Sequence, residues 1–149
     1  MNITIVTERT FAAATVLFAV LLDPYTYPRW LVGTKNIRAL STFWPEAGSY
    51  FKHTVGFGPF AIPDRTTVRN VETPHHLTLF VRARPIVEAV VQFDVTTKGS
   101  TCTLRMTETP VGVYKVVAPI AVPLSRARYE RSLQRLAAYI GTRDPPGYE

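Results

Sequence analysis

The sequence has little sulfur and few histidines: one cysteine, two methionines and three histidines in 149 residues. A lone cysteine forms no intrachain disulfide and offers no thiol pair to zinc. Cys102 therefore reads as an inert strand residue, which suits a reducing compartment. Charge is sparse as well. Charged residues are 19% of the chain against 46% hydrophobic, a balance that excludes a disordered polymer. No internal repeat, phosphate-cradling glycine motif or Gly-x-Ser-x-Gly elbow occurs. The apolar run at residues 11–22 falls short of the roughly 20 residues a bilayer-crossing helix needs. Residues 1–10 lack the basic start of a signal peptide, with Glu8 and Arg9 directly before the apolar run. These absences lead to the expectation of one cytoplasmic globular domain over residues 1–149, with no membrane span. The net charge of +6 comes from scattered cations, so nucleic acid is not an expected partner. With only His53, His75 and His76, and no cysteine or glutamate at ligand spacing, neither a metal nor a cofactor is expected.

What is present is alternation. Residues 2–7 read as a strand with Ile3 and Ile5 inward. Residues 12–22 are rich in Ala and Leu and read as a helix, ended by Asp23-Pro24 because proline disfavours a helical residue before it. Residues 25–30 form a second short helix or turn. Period-two segments follow at 35–40, 49–57, 60–72, 77–84, 86–97 and 101–109. Gly58-Pro59, Thr73-Pro74 and Lys98-Gly99-Ser100 separate consecutive long strands, and such short links favour an antiparallel meander. Residues 115–123 read as an apolar, proline-bearing connection. A helix then runs from Pro123 to about Ile140 and stops at Gly141. On that helix Tyr129, Leu133, Leu136, Ala137 and Ile140 share one face, and Arg128, Arg131 and Arg135 lie opposite. Residues 143–149 form a polar tail. Helices segregated from a continuous antiparallel sheet make an α+β fold.

The strand leading into FAAATVLFAVLLDPYTYPRWLVG resembles the START-like, or SRPBCC, superfamily in its polyketide cyclase/dehydrase-like branch. The segments WPEAGSYFKHTVGFGP, DRTTVRNVETPHHLTLFVRARP and GSTCTLRMTETP and the arginine-rich last helix carry the same resemblance, which covers nearly the whole chain. It implies a helix-grip fold. A curved antiparallel sheet of about seven strands would wrap around a long C-terminal helix, with two short helices after the first strand and a deep cavity inside. It implies a small hydrophobic partner, lipid-like or polyketide-like, without fixing any chemistry.

A two-residue loop at Gly58-Pro59 sets a register in which Phe57 opposes Phe60, Val55 opposes Ile62 and His53 opposes Asp64. Alternation then turns Phe51, His53, Val55 and Phe57 to one face, the more apolar and so the concave one. Leu77, Leu79, Val81, Val87, Val91, Phe93, Val95, Cys102, Leu104, Met106 and Glu108 join them. Tyr129 and Leu133 face this set from the helix, and Trp30 and Trp44 either close the mouth or fill core. Three ionisable groups thus stand on a greasy face: His53, Asp64 and Glu108. Burying a polar group without a partner costs roughly 2–7 kcal/mol, so each needs a partner, water or ligand. A His53–Asp64 pair could act as acid and base in a cyclisation or dehydration, or could simply be structural. Arg126 either meets an anionic ligand group or snorkels to water. The basic face of Arg128, Arg131 and Arg135 offers a third possibility, docking to an acidic partner or to anionic lipid headgroups.

Overall fold

The computed structural model describes residues 4–12, 14–57, 59–83 and 87–141, without the side chains of Phe57 and Phe60. The polar tail at 143–149, the Gly58 half of the expected two-residue loop and the strand ends expected at Arg84 and Ile86 lie outside the described residues.

Seven strands follow the alternation: β1 (Ile5–Phe11), β2 (Thr34–Leu40), β3 (Tyr50–Phe57), β4 (Phe60–Glu72), β5 (His76–Ala83), β6 (Val87–Lys98) and β7 (Thr101–Pro110). They form one antiparallel sheet in the order β1-β7-β6-β5-β4-β3-β2. β1 ends later than its local pattern indicates. Residues Ile5 to Phe11 all find partners on β7, from Glu108 back to Cys102, so ladder hydrogen bonds carry the strand through exposed Glu8, Arg9 and Thr10. The register expected across β3 and β4 is present, with Val55 opposite Ile62 and His53 opposite Asp64.

Helix α1 (Ala14–Leu21) buries Leu17, Phe18, Val20 and Leu21. The Asp-Pro-Tyr-Thr-Tyr-Pro-Arg-Trp run then folds as a 3-10 turn (Pro24–Thr26) leading into α2 (Tyr27–Trp30). Its sequence states how. The Asp23 carboxylate accepts from the Tyr25 amide at 3.1 Å, capping the turn. Thr26 Oγ1 donates to the Asp23 carbonyl at 2.8 Å and accepts from Trp30 Nε1 at 3.1 Å. The buried indole thus has its one donor satisfied.

The largest departure from the sequence reading is α3, which spans Tyr114–Gly141. Residues 115–123, expected as a connection, are its first turns, with Pro119 and Pro123 inside the helix. A proline within a helix removes the amide that would bond the carbonyl four residues back. The carbonyls so released belong to Lys115 and Pro119, both on exposed residues where water can bond them. Buried Tyr114, Ala118 and Ser125 hold this half of the helix inward. Further along, Ser132 Oγ accepts from the Val32 amide at 2.9 Å and donates to the Arg128 carbonyl, pinning α3 to the loop after α2. The helix-grip α+β architecture implied by the resemblance is the one observed.

Candidate functional site

The concave face is divided. Around Leu77 of β5, Val95 of β6 and Cys102 and Leu104 of β7, the space is filled by side chains of α1, α2 and α3. Trp30, Leu17, Leu21, Leu104, Leu133 and Leu136 are all fully buried there. Trp30 packs edge-on to Tyr27 at 5.1 Å and to Phe93 at 6.4 Å. Further along the same strands, at Leu79–Ala83 of β5, Val87–Phe93 of β6 and Met106–Glu108 of β7, and across β3 and β4, the sheet and α3 stay apart and enclose a cavity of about 420 Å³. Apart from a few groups, its wall is aliphatic and aromatic. Phe51, Val55, Ile62, Leu79, Val81, Val91, Phe93 and Met106 all line it. That volume lies within the ~300–1,000 Å³ typical of small-molecule sites, which are mostly apolar with a few placed polar groups.

Two polar points stand on the wall. The first is His53, whose Nε2 lies 3.1 Å from Thr66 Oγ1, also a lining residue. Burial lowers the pKa of His53 against the opposing pull of the Arg65 backbone and Asp64, and nearby Arg38 lowers it further. The ring is therefore neutral at neutral pH. The second point is Glu108 with Arg128 and Tyr129 from α3. Arg128 Nη2 comes to 4.0 Å of Glu108 Oε1, and its guanidinium lies 4.7 Å from the Tyr129 ring centre. Glu108 Oε2 is buried and has no hydrogen-bond partner. Burial pushes the Glu108 carboxyl upward, while Arg128 and the Tyr129 hydroxyl pull it back only in part. Burial also holds the Tyr129 phenol well above its ordinary value, so it stays a donor. Gly33 borders Arg128 and adopts a left-handed backbone that favours glycine. Its φ is +99°, and a Cβ there would sit 3.4 Å from Arg128 Nη1.

Of the expected site residues, Phe51, His53, Val55, Ile62, Leu79, Val81, Val91, Phe93, Met106, Glu108 and Tyr129 lie on the cavity wall. Trp30, Leu104 and Leu133 belong instead to the filled end, because α1 and α2 cover that part of the sheet. The Phe57 side chain lies outside the described residues. Asp64 departs from the expected pairing. It is opposite His53 along the backbone, yet its carboxylate meets Arg82 Nε at 3.5 Å and lines a separate polar pocket with Arg38, Lys52 and Arg65. Among the described residues, the ladder between β4 and β5 begins at Thr66–Val81, two residues past Asp64. A close His–Asp pair does occur, at His76 Nδ1 and Asp94 Oδ1, 2.6 Å apart. These two residues alternate with inward Leu77 and Phe93 and so stand on the outer face of the sheet.

Arg128 also departs from expectation, leaving the basic face of α3 for the cavity wall, while Arg126, Arg131 and Arg135 are exposed. Trp44 is half-buried against Phe51 and donates to the Leu22 carbonyl, outside the lining set. Sequence reasoning missed Tyr27, Leu31, Val32, Thr34 and Ala83 as wall residues. Tyr27 comes from α2, and Leu31, Val32 and Thr34 from the loop after it and the start of β2, where no periodicity points inward, whereas Ala83 continues the Leu77, Leu79, Val81 alternation of β5. Thr66 carried a signal that went unread, since it continues the Ile62, Asp64 alternation. Among the described residues, no group of three or more His, Cys, Asp or Glu could hold a metal ion.

A family model for polyketide cyclase/dehydrase and lipid transport matches residues 3–141. Among curated proteins none matches the chain. Solved structures do. A START superfamily protein of Mycobacterium smegmatis aligns with TM-score 0.78 and 14% identity, covering 95% of this chain and 99% of that one. The CV1439 protein of Chromobacterium violaceum aligns with TM-score 0.73 and 13% identity, covering 92% and 96%. The MLL2253 protein of Mesorhizobium loti aligns with TM-score 0.69 and 19% identity, covering 96% and 100%. At such identities the likeness is one of fold.

Proposed function

The chain belongs to the polyketide cyclase/dehydrase and lipid transport family, and from that premise we propose that it holds one small hydrophobic molecule, lipid-like or polyketide-like, between sheet and α3. The observation that carries this reading is the largely apolar space of about 420 Å³. Leaving aliphatic and aromatic walls without neighbours forfeits dispersion contacts. A guest restores them and removes its own apolar surface from water, at about 25 cal/mol per Å². The few polar groups orient the guest. Glu108 Oε2, a buried acceptor without a donor, is suited to a hydroxyl at one end of it. Native mass spectrometry of the purified protein checks the proposal, together with titration of an apolar fluorescent probe and its displacement by a panel of fatty alcohols, fatty acids and polycyclic phenols. A co-purified molecule, or saturable one-to-one binding, is the expected result. An empty protein that binds neither probe nor panel would defeat it.

One observation favours a catalytic second reading: a neutral histidine faces the cavity. Such a ring can take a proton from an activated carbon of a polyketide-like guest. The acid/base partner of His53 is then Thr66 or the guest itself, since the Asp64 carboxylate is turned to Arg82. This reading requires that His53→Ala abolish turnover of a cyclising substrate while probe affinity stays within about twofold. Unchanged turnover would rule it out.

A further inference from the structure

The outward face of α3 changes character halfway along. Helix surfaces that meet water are ordinarily polar. Here Val113, just before the helix, and Val116, Val117, Ile120 and Leu124 on it are all exposed, Ile120 by 88% and Val116 by 78%. Their spacing of three and four residues lines them up as one stripe. The opposite side of the same turns, with Tyr114, Ala118 and Ser125, is buried. Further along the outer face the stripe gives way to exposed Arg131, Gln134 and Arg135. Over its whole length α3 carries Lys115 and Arg126, Arg128, Arg131 and Arg135 against a single acidic residue, Glu130. The stripe also lies beside the cavity. The Val111 amide bonds the Glu88 carbonyl at 2.9 Å, tying the entry of α3 to β6 next to Val87, which lines the cavity.

We propose that the first half of α3 is an attachment surface for an anionic lipid bilayer. The apolar stripe enters the acyl boundary, and Arg131 and Arg135, further along the same face, meet lipid phosphates. Contiguous exposed apolar side chains followed along the same face by cations match the two components of interfacial binding, apolar burial and attraction to anionic lipid. Charge selects this occupant over a second copy of the chain. Two copies joined along this stripe would bring two proteins of net charge +6, and two basic helices, against each other. The contact is superficial, since no helix among the described residues is long and apolar enough to cross a membrane. The proposal stands independently of what fills the cavity.

Co-sedimentation with phosphatidylcholine vesicles, with and without phosphatidylglycerol, tests it. The expected result is partition at least about fivefold stronger onto the anionic vesicles, weakening as salt is raised. Ile120→Glu/Leu124→Glu should lower it at least about tenfold. Ile120→Ser/Leu124→Ser and Arg131→Ala/Arg135→Ala should each lower it by a smaller factor. Because all these residues are exposed, circular dichroism and probe binding in the cavity should remain those of the parent. Absence of partition onto either vesicle overturns the proposal, as does partition that the variants leave unchanged. A dimer in sedimentation velocity that the glutamate variant dissociates overturns it in favour of a second copy.

Discussion

The two ends of the concave face are made from the same kind of side chain, and one is solid while the other is hollow. Leu104 and Met106 alternate on one strand, β7, and point the same way. Leu104 is covered by the filled core, whereas Met106 looks into the cavity. At the filled end, α1 and α2 bring Phe18, Leu21 and Trp30 down onto the sheet. At the open end α2 and α3 reach the wall only through Tyr27, Arg128 and Tyr129, and Val55, Ile62, Val81 and Val87 are only half-buried although they face inward. Apolar patterning therefore marks a face, and the cover laid over that face decides whether it becomes core or pocket. This difference makes separable demands on stability and on binding.

The largest effect is expected at the filled end. Trp30→Ala removes a fully buried ring that makes two edge contacts and one hydrogen bond, and should cost about 3–5 kcal/mol in urea unfolding. Probe affinity measured well below the transition should stay close to that of the parent. A Trp30→Ala protein of parental stability that had lost the probe would erase the distinction between the two ends. At the open end, Val81→Phe fills space and should weaken probe binding at least tenfold, about 1.4 kcal/mol. Its unfolding free energy should move by about 1 kcal/mol or less. A destabilisation matching that of Trp30→Ala would mean that the cavity is core after all.

Glu108→Gln sharpens the picture of the polar point. It should reduce affinity for hydroxyl-bearing probes about 3–10-fold and leave hydrocarbon-only probes unchanged, as read by competition titration. An equal loss for both classes would remove Glu108 from ligand orientation.

The smallest effect is expected from His53, and it lies in the pH dependence. Burial lowers its pKa in the folded chain below the ordinary 6.5, so the unfolded state takes the proton first. Stability is then full above about pH 6.5 and falls as pH drops towards the folded value. Glu108 acts in the opposite sense. Its raised folded pKa favours the native state at low pH and withdraws that support as pH rises through it. His53→Gln should therefore flatten the loss of stability just below pH 6.5, followed by urea midpoints across pH 5–8. An unchanged slope would show that the ring titrates as it does in the unfolded chain.

Much of this protein was legible before any tertiary contact was known. The seven strands, the β3–β4 register about Gly58-Pro59 and the turn chemistry of Asp23-Pro24 all rest on rules acting over a few residues. So does the inward set from Phe51 to Met106. The first turns of α3 were illegible because Pro119 and Pro123 read as breakers. Only the solvent exposure of the carbonyls they release makes them tolerable. The His53–Asp64 pair failed for another reason. Register fixes which residues oppose each other, whereas the direction of a carboxylate depends on the cations around it, here including Arg82 from a third strand. Arg128 sat on the polar side of a helical wheel, and a wheel carries no knowledge of Glu108 on β7.

By itself the sequence determined the local geometry and the face each strand residue takes, because alternation and turn propensity act between neighbours in the chain. Where that face is covered, which charges meet, and that a space is left inside were decided by tertiary structure. Those outcomes depend on distances between elements far apart in sequence, such as α2, β7 and α3, and no short-range rule measures them.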